Sequence, residues 1–147
     1  MTKIGEINKK FGRLIAVDEK TGRETYATTK YWGDMYFDVE QQVLNGKLDG
    51  TYYAWHEGTE QLHQKCTYKD GKLDGIEYQY GYDGHVIYET PYKNGVRDGI
   101  GKEYEQGGSH RLKRETVYQN GTQISSKEIK PQPIQNPWTF RHGQGGR

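Results

Sequence analysis

Cysteine occurs once in this chain, at Cys66, so no disulfide can close within it. Cys66 alternates with Leu62 and Tyr68 along one run, which marks it as a small buried apolar residue rather than a reactive thiol. Aliphatic side chains are also scarce: 31% of the 147 residues are hydrophobic, and 13 of those are tyrosines. That excludes a thick two-layer core and favours one elongated sheet packed with tyrosine and tryptophan. No apolar run reaches the length of a bilayer span. The residues from Met1 to Glu6 lack the apolar stretch of a signal peptide, so the expected compartment is the cytoplasm. Nor does one sign of charge dominate. The formal net charge of +1 conceals 14 Lys and Arg against 18 Asp and Glu in residues 1–108, then 7 against 2 in residues 109–147. The body is mildly acidic and the end basic, a weak field that favours a basic partner by steering.

Glycine, by contrast, is abundant, with 20 residues, and it recurs in one phrase. Gly46-Lys47-Leu48-Asp49-Gly50 returns as Gly71-Lys72-Leu73-Asp74-Gly75 and as Gly95-Val96-Arg97-Asp98-Gly99. Asn45, Asp70 and Asn94 stand just before it, and a worn fourth copy begins at Asn120-Gly121. A period of roughly two dozen residues signals stacked units. Asn-Gly and Asp-Gly accept positive φ at both central positions, which predicts tight primed hairpin turns. The second glycines, Gly50, Gly75 and Gly99, lie where a strand should already be under way, which predicts a bulge or a close backbone approach. Asp49, Asp74 and Asp98 are read as structural, capping exposed amides of the bend.

After each phrase the residues alternate as in a strand: Thr51, Tyr53, Trp55; then Ile76, Tyr78, Tyr80; then Ile100, Lys102, Tyr104. Return strands run from Leu62 to Tyr68, from Val86 to Tyr92 and from Leu112 to Tyr118, so Tyr68, Tyr92 and Tyr118 should form one row. One repeat is one hairpin. Over residues 45–121 this order of tyrosine, Asn-Gly, Gly-x-x-Asp-Gly and aromatic strand resembles the MORN-type repeat family, in the variant of small bacterial antitoxin-like proteins. The third copy departs most, with Val96-Arg97 for Lys-Leu and Lys102 for an aromatic. The resemblance implies a repeat scaffold and, for function, neutralisation of another protein such as a toxic enzyme.

Residues 1–44 are less regular and read as a degenerate hairpin cap, with strands at Leu14–Asp18 and Arg23–Tyr31 and another leading to Val43-Leu44. A short helix over Asp38–Leu44 is the alternative. Residues 45–124 form the repeats. From 125 to 147 the chain reads as an extended or disordered tail, rich in Pro and Gly, in which Ile134, Trp138 and Phe140 either fold back over the last sheet edge or serve as a docking motif. The expected fold is thus all-β: an elongated single antiparallel sheet, a meander of repeated hairpins, with a C-terminal tail.

Catalytic arrangements are not found. No Gly-rich phosphate loop precedes a helix, and Ser109, Ser125 and Ser126 have no nucleophile-elbow context. His56, His63 and Cys66 match no common zinc spacing. Opposed on a hairpin, His56 and His63 can approach each other, yet they are read as exposed polar residues. Glu89 and Glu115 occupy one position of successive return strands, with Lys65 there in the first, and lie ~10 Å apart as a charged solvent face. No enzyme, metal or cofactor is expected. Function is assigned to the outgoing-strand aromatics Tyr53, Trp55, Tyr78, Tyr80 and Tyr104, together with Trp138, as a surface for another protein; the same outgoing-strand rings also read as the cover of a thin sheet. The alternative is a single-stranded nucleic-acid binder that combines stacked aromatics with Arg111, Lys113, Arg114, Lys127 and Lys130. Nucleic acid ranks below protein because the aromatic stretch is acidic, and a membrane surface ranks below both for want of a basic patch. Open sheet edges leave room for pairing with a second copy.

Overall fold

A computed structural model describes residues 3–131. Among them there is no helix, and none therefore long and apolar enough to cross a membrane. Thirteen strands form one open antiparallel sheet. They are β1 (Ile7–Asn8), β2 (Gly12–Val17), β3 (Glu24–Trp32), β4 (Met35–Leu44), β5 (Lys47–His56), β6 (Leu62–Lys69), β7 (Lys72–Leu73), β8 (Gly75–Tyr80), β9 (Val86–Lys93), β10 (Val96–Arg97), β11 (Gly99–Tyr104), β12 (Leu112–Gln119) and β13 (Thr122–Glu128). Spatial order follows sequence order, with the short β7 and β10 attached to β6 and β9. The meander expected from the repeat is the fold of the described residues.

Four of its corners are the Asn-Gly or Asp-Gly pairs that begin at Asn45, Asp70, Asn94 and Asn120. Asn45, Asp70, Asn94 and Asn120 have φ between 49° and 53°, and the glycines that follow have φ between 77° and 86°. Positive φ at both central positions matches the right-handed strand twist. Successive corners are tied together: the amide of Gly71 donates to the Leu48 carbonyl at 2.7 Å, that of Gly95 to Leu73 at 2.8 Å and that of Gly121 to Arg97 at 2.7 Å. A periodic phrase therefore becomes a periodic hydrogen-bonded seam along one end of the sheet.

The second glycines also behave as the pattern requires. Gly50, Gly75 and Gly99 have φ of 111°, 104° and 117°. The ladder slips beside each one, since Gln41 pairs with Tyr52 but Val43 with Leu48, and Lys65 pairs with Tyr78 but Tyr68 with Leu73. At the slip the Asp74 amide turns to the Thr67 carbonyl and the Asp98 amide to the Pro91 carbonyl, both at 3.0 Å. Side chains of the preceding strand fill the space a Cβ would need: Gln42 at Gly50, Thr67 at Gly75 and Pro91 at Gly99.

Residues 3–44 contribute four strands. Asp38–Leu44, where a helix was the alternative, lies inside β4, whose residues alternate between buried and half-buried from Phe37 onward. This period of two is a strand period. Phe11, Leu14, Tyr26, Phe37, Val39 and Val43 are buried hydrophobics from this segment, joined by Tyr52, Ala54 and Cys66 of β5 and β6. Gln41 is buried among them and donates from Nε2 to the Phe11 carbonyl at 2.9 Å, which meets its hydrogen-bonding need. Lys30 lays its ammonium 4.9 Å from the centroid of the Tyr52 ring. A long cationic stem thus covers part of the core face while its head stays polar. At the other end, β13 continues through Glu128, so Ser125 to Glu128 are a paired strand rather than tail. Its seven residues are all exposed, and a polar edge strand needs only its partner's ladder.

Candidate functional site

Directly opposed residues of an antiparallel pair share a face. Following the register from Glu40 gives one continuous row: Glu40, Tyr53, Lys65, Tyr78, Glu89, Lys102, Glu115 and Lys127. Trp55 and Tyr80 lie two residues from Tyr53 and Tyr78 and project to the same side. Tyr104 also belongs there, because its hydroxyl donates to Glu89 Oε2 at 2.5 Å. The five outgoing-strand aromatics named from alternation are therefore brought together on one face, each half-buried. The buried cluster of Phe37, Val39, Tyr52, Ala54 and Cys66 occupies the opposite face. Trp138 lies outside the described residues.

The row is held by specific contacts. The Tyr53 and Trp55 rings stack with centroids 5.5 Å apart and planes inclined by 26°. Lys65 stands in register between two tyrosines, with its ammonium 6.0 Å from the Tyr53 centroid and 5.9 Å from that of Tyr78. This cation–π bridge orients both rings. Burial, followed by the bond to Glu89, pushes the Tyr104 hydroxyl up to about 12. Burial and the neighbouring tyrosines Tyr78 and Tyr53 raise Tyr80 as well. Both phenols consequently stay neutral donors at ordinary pH. Lys102, the departure in the third copy, falls opposite Glu89 and Glu115, where a cation separates two carboxylates that an aromatic would leave facing each other.

Tyr68, Tyr92 and Tyr118 form the expected row on the other face, each opposite a second glycine: Gly50, Gly75 and Gly99. Tyr68 packs 5.9 Å from Tyr52, and the Arg97 guanidinium lies 5.0 Å from the Tyr118 centroid. Burial also pushes the Cys66 thiol up to about 12, the state of an inert packing residue.

His56 and His63 differ from expectation. They do approach each other, at 5.2 Å between centroids, but both are half-buried in an aromatic pocket and not exposed. His63 stacks on Phe37 at 4.3 Å and His56 on Tyr82 at 5.1 Å, and Trp32 packs on Phe37 at 4.7 Å. These side chains, with Met35 and Ile87, line a cavity of about 370 Å³. Burial and the neighbouring His56 hold His63 below its ordinary value. The physical reason is a bulge. Ala54 pairs with Gln64 but Trp55 with Leu62, so His63 is the extra residue and the parity of Leu62 is reversed relative to Cys66. Equivalent slips leave Ile87 and Lys113 unpaired in the next two hairpins.

Among the described residues, one group gathers three metal-capable side chains: Asp83, His85 and His110, from the loops before β9 and β12. Sequence spacing did not single them out, because the third ligand comes from a neighbouring repeat.

No family model matches the chain. A stretch of a minor capsid protein of African swine fever virus is similar, 26% identical over 119 residues that cover 76% of this chain. The chain spans about 9% of the length of that viral protein.

Proposed function

We propose that this chain is a non-enzymatic binding module of MORN-like design that engages another protein through its aromatic face, in the manner of an antitoxin-like inhibitor. The observation that carries this reading is the placement of Tyr53, Trp55, Tyr78, Tyr80 and Tyr104 on the sheet face opposite the buried core. Core packing thus accounts for the other face and leaves these rings unassigned. Tyrosine and tryptophan held in fixed orientations contribute large contact area at small entropic cost. The mildly acidic body favours a basic partner.

Single-stranded nucleic acid is the weaker reading. Arg111 pairs with Glu105 at 3.1 Å, and Lys113 and Arg114 share Glu103 at 3.5 Å each, so two carboxylates already compete for three of the five cations that would hold phosphates. The test is capture of a partner by the immobilised full chain. Capture should fall at least about tenfold with W55A/Y80A and stay unchanged with the exposed pair Y31A/Y36A, as expected for a focused hot spot. Undiminished capture by a normally melting W55A/Y80A variant removes the aromatic face from the reading.

A further inference from the structure

We propose that Asp83, His85 and His110 form a site for a divalent cation of the zinc, cobalt or nickel class, spanning the loops of two successive hairpins. Strands β9 and β11 are neighbours, with Lys102 opposite Glu89, so the loop before β9 and the loop after β11 emerge side by side at the end of the sheet away from the Asn-Gly corners. His110 has φ of 51°, a left-handed conformation that leaves its ring directed at the adjoining loop. Its Nε2 lies 2.8 Å from Asp83 Oδ2, and His85 Nδ1 lies 3.7 Å from the same oxygen. One ligand atom from each of the three falls within 4.8 Å of the others.

These separations suit a shared ion. Nitrogen and oxygen ligands at about 2.0–2.2 Å from a tetrahedral zinc stand roughly 3.3–3.6 Å apart, a value that 2.8 and 3.7 Å bracket. The His85 and His110 rings are stacked at 3.6 Å with planes inclined by 14°, so binding requires only that they splay about their side-chain torsions. The carboxylate is already oriented, because Asp83 Oδ1 accepts the His85 amide at 3.1 Å and leaves Oδ2 facing the imidazoles. The loops are themselves pinned: the Gly81 amide donates to the His85 carbonyl at 2.9 Å, and the Glu105 amide to the Arg111 carbonyl at 2.9 Å.

Two imidazoles and one carboxylate select borderline transition ions over magnesium or calcium, which prefer all-oxygen sets. Three protein ligands leave a further coordination position for water. An ion here would cross-link two repeats, and anything that binds the folded state alone stabilises it by mass action. The pair of His56 and His63 is a different environment, with its rings edge to face in an apolar cavity.

The test is calorimetric titration of the untagged full chain with zinc chloride, alongside magnesium chloride as a control. One equivalent of zinc should bind in the micromolar range or tighter, with no heat from magnesium. H85A/H110A should abolish that binding, and D83N should weaken it about tenfold or more. Imidazole ring resonances of the unaltered protein give an independent readout: His85 and His110 should shift on adding zinc while His56 stays in place. Absence of zinc binding, binding retained by a folded H85A/H110A variant, or zinc shifts confined to His56 and His63 would each overturn the proposal.

Discussion

Among the three aspartates of the recurring phrase, Asp49 has partners that the other two lack. Its Oδ1 accepts from Arg23 Nη2 at 2.7 Å, its Oδ2 accepts from the Asp70 amide at 3.1 Å, and its own carbonyl accepts from Arg23 Nε at 3.1 Å. Among the described residues the carboxylates of Asp74 and Asp98 accept no hydrogen bond, so of the three only Asp49 caps an amide of the bend. Asp49 lies on β5, separated from β3 only by β4, and Arg23, just before β3, reaches across to it. The guanidinium first, and the Asp70 amide second, hold the Asp49 carboxyl below the usual carboxylate range. D49N should therefore lower stability by about 1–2 kcal/mol at neutral pH, whereas D98N should change it by less than about 0.5 kcal/mol. Because the folded value lies below the unfolded one, the contribution is complete above the ordinary carboxylate value near ~3.9 and drains away as pH falls through the folded value. Urea midpoints of wild type and D49N should accordingly differ at neutral pH and converge in acid. A gap that persists unchanged to low pH would place the effect elsewhere.

At the scale of the hairpin, positive φ alone does not determine what a glycine contributes. Gly84 has φ of 83° and open space where a Cβ would stand, whereas Gly75 has φ of 104° and Thr67 Oγ1 2.7 Å from that position. G84A should cost about 1 kcal/mol from backbone strain, and G75A about 2–3 kcal/mol because Thr67 must also move, losing its bond to the Asp74 carbonyl. Thermal melts of the two variants check the difference, and equal costs would mean that the crowding is absent. This contrast also marks how far the sequence could be read. Corners such as Asn94-Gly95 are legible because positive φ is written into the residue type, and the aromatic face is legible because Tyr53, Trp55, Tyr78 and Tyr80 alternate without interruption. The return-strand bulges are not legible, since His63, Ile87 and Lys113 are ordinary strand residues whose extra position shows only in the partner's register. That hidden slip is why His63 turns to the core face. Asp83 and His110 escape for a related reason: they meet at an offset of 27 residues, across loops that carry no repeated letters.

Over the whole molecule the apolar interior is lopsided. Every buried hydrophobic side chain among the described residues lies at or before Cys66, while Ile76, Val96, Ile100, Val117 and Ile124 are exposed. The segment read from sequence as a cap therefore supplies much of the burial, and the later hairpins are held chiefly by their ladder, the seam of corner hydrogen bonds and the tyrosine rows. The final strand carries Ser125, Ser126, Lys127 and Glu128, a polar composition that discourages edge pairing. In a sheet where each hairpin contacts only its neighbours, stability is close to a sum of local and nearest-neighbour contributions, so the poorly covered end should open independently of the rest. Native-state hydrogen exchange should thus show amides of β12 and β13 exchanging at least about a hundredfold faster than those of β4 and β5, equivalent to ~2.7 kcal/mol less protection. Zinc at Asp83, His85 and His110 would tie β8–β9 to β11–β12 and narrow that gap from the far side. Uniform protection from β4 through β13 would mean instead that the ladder alone makes the sheet one cooperative unit, and that burial at one end does not set where it opens.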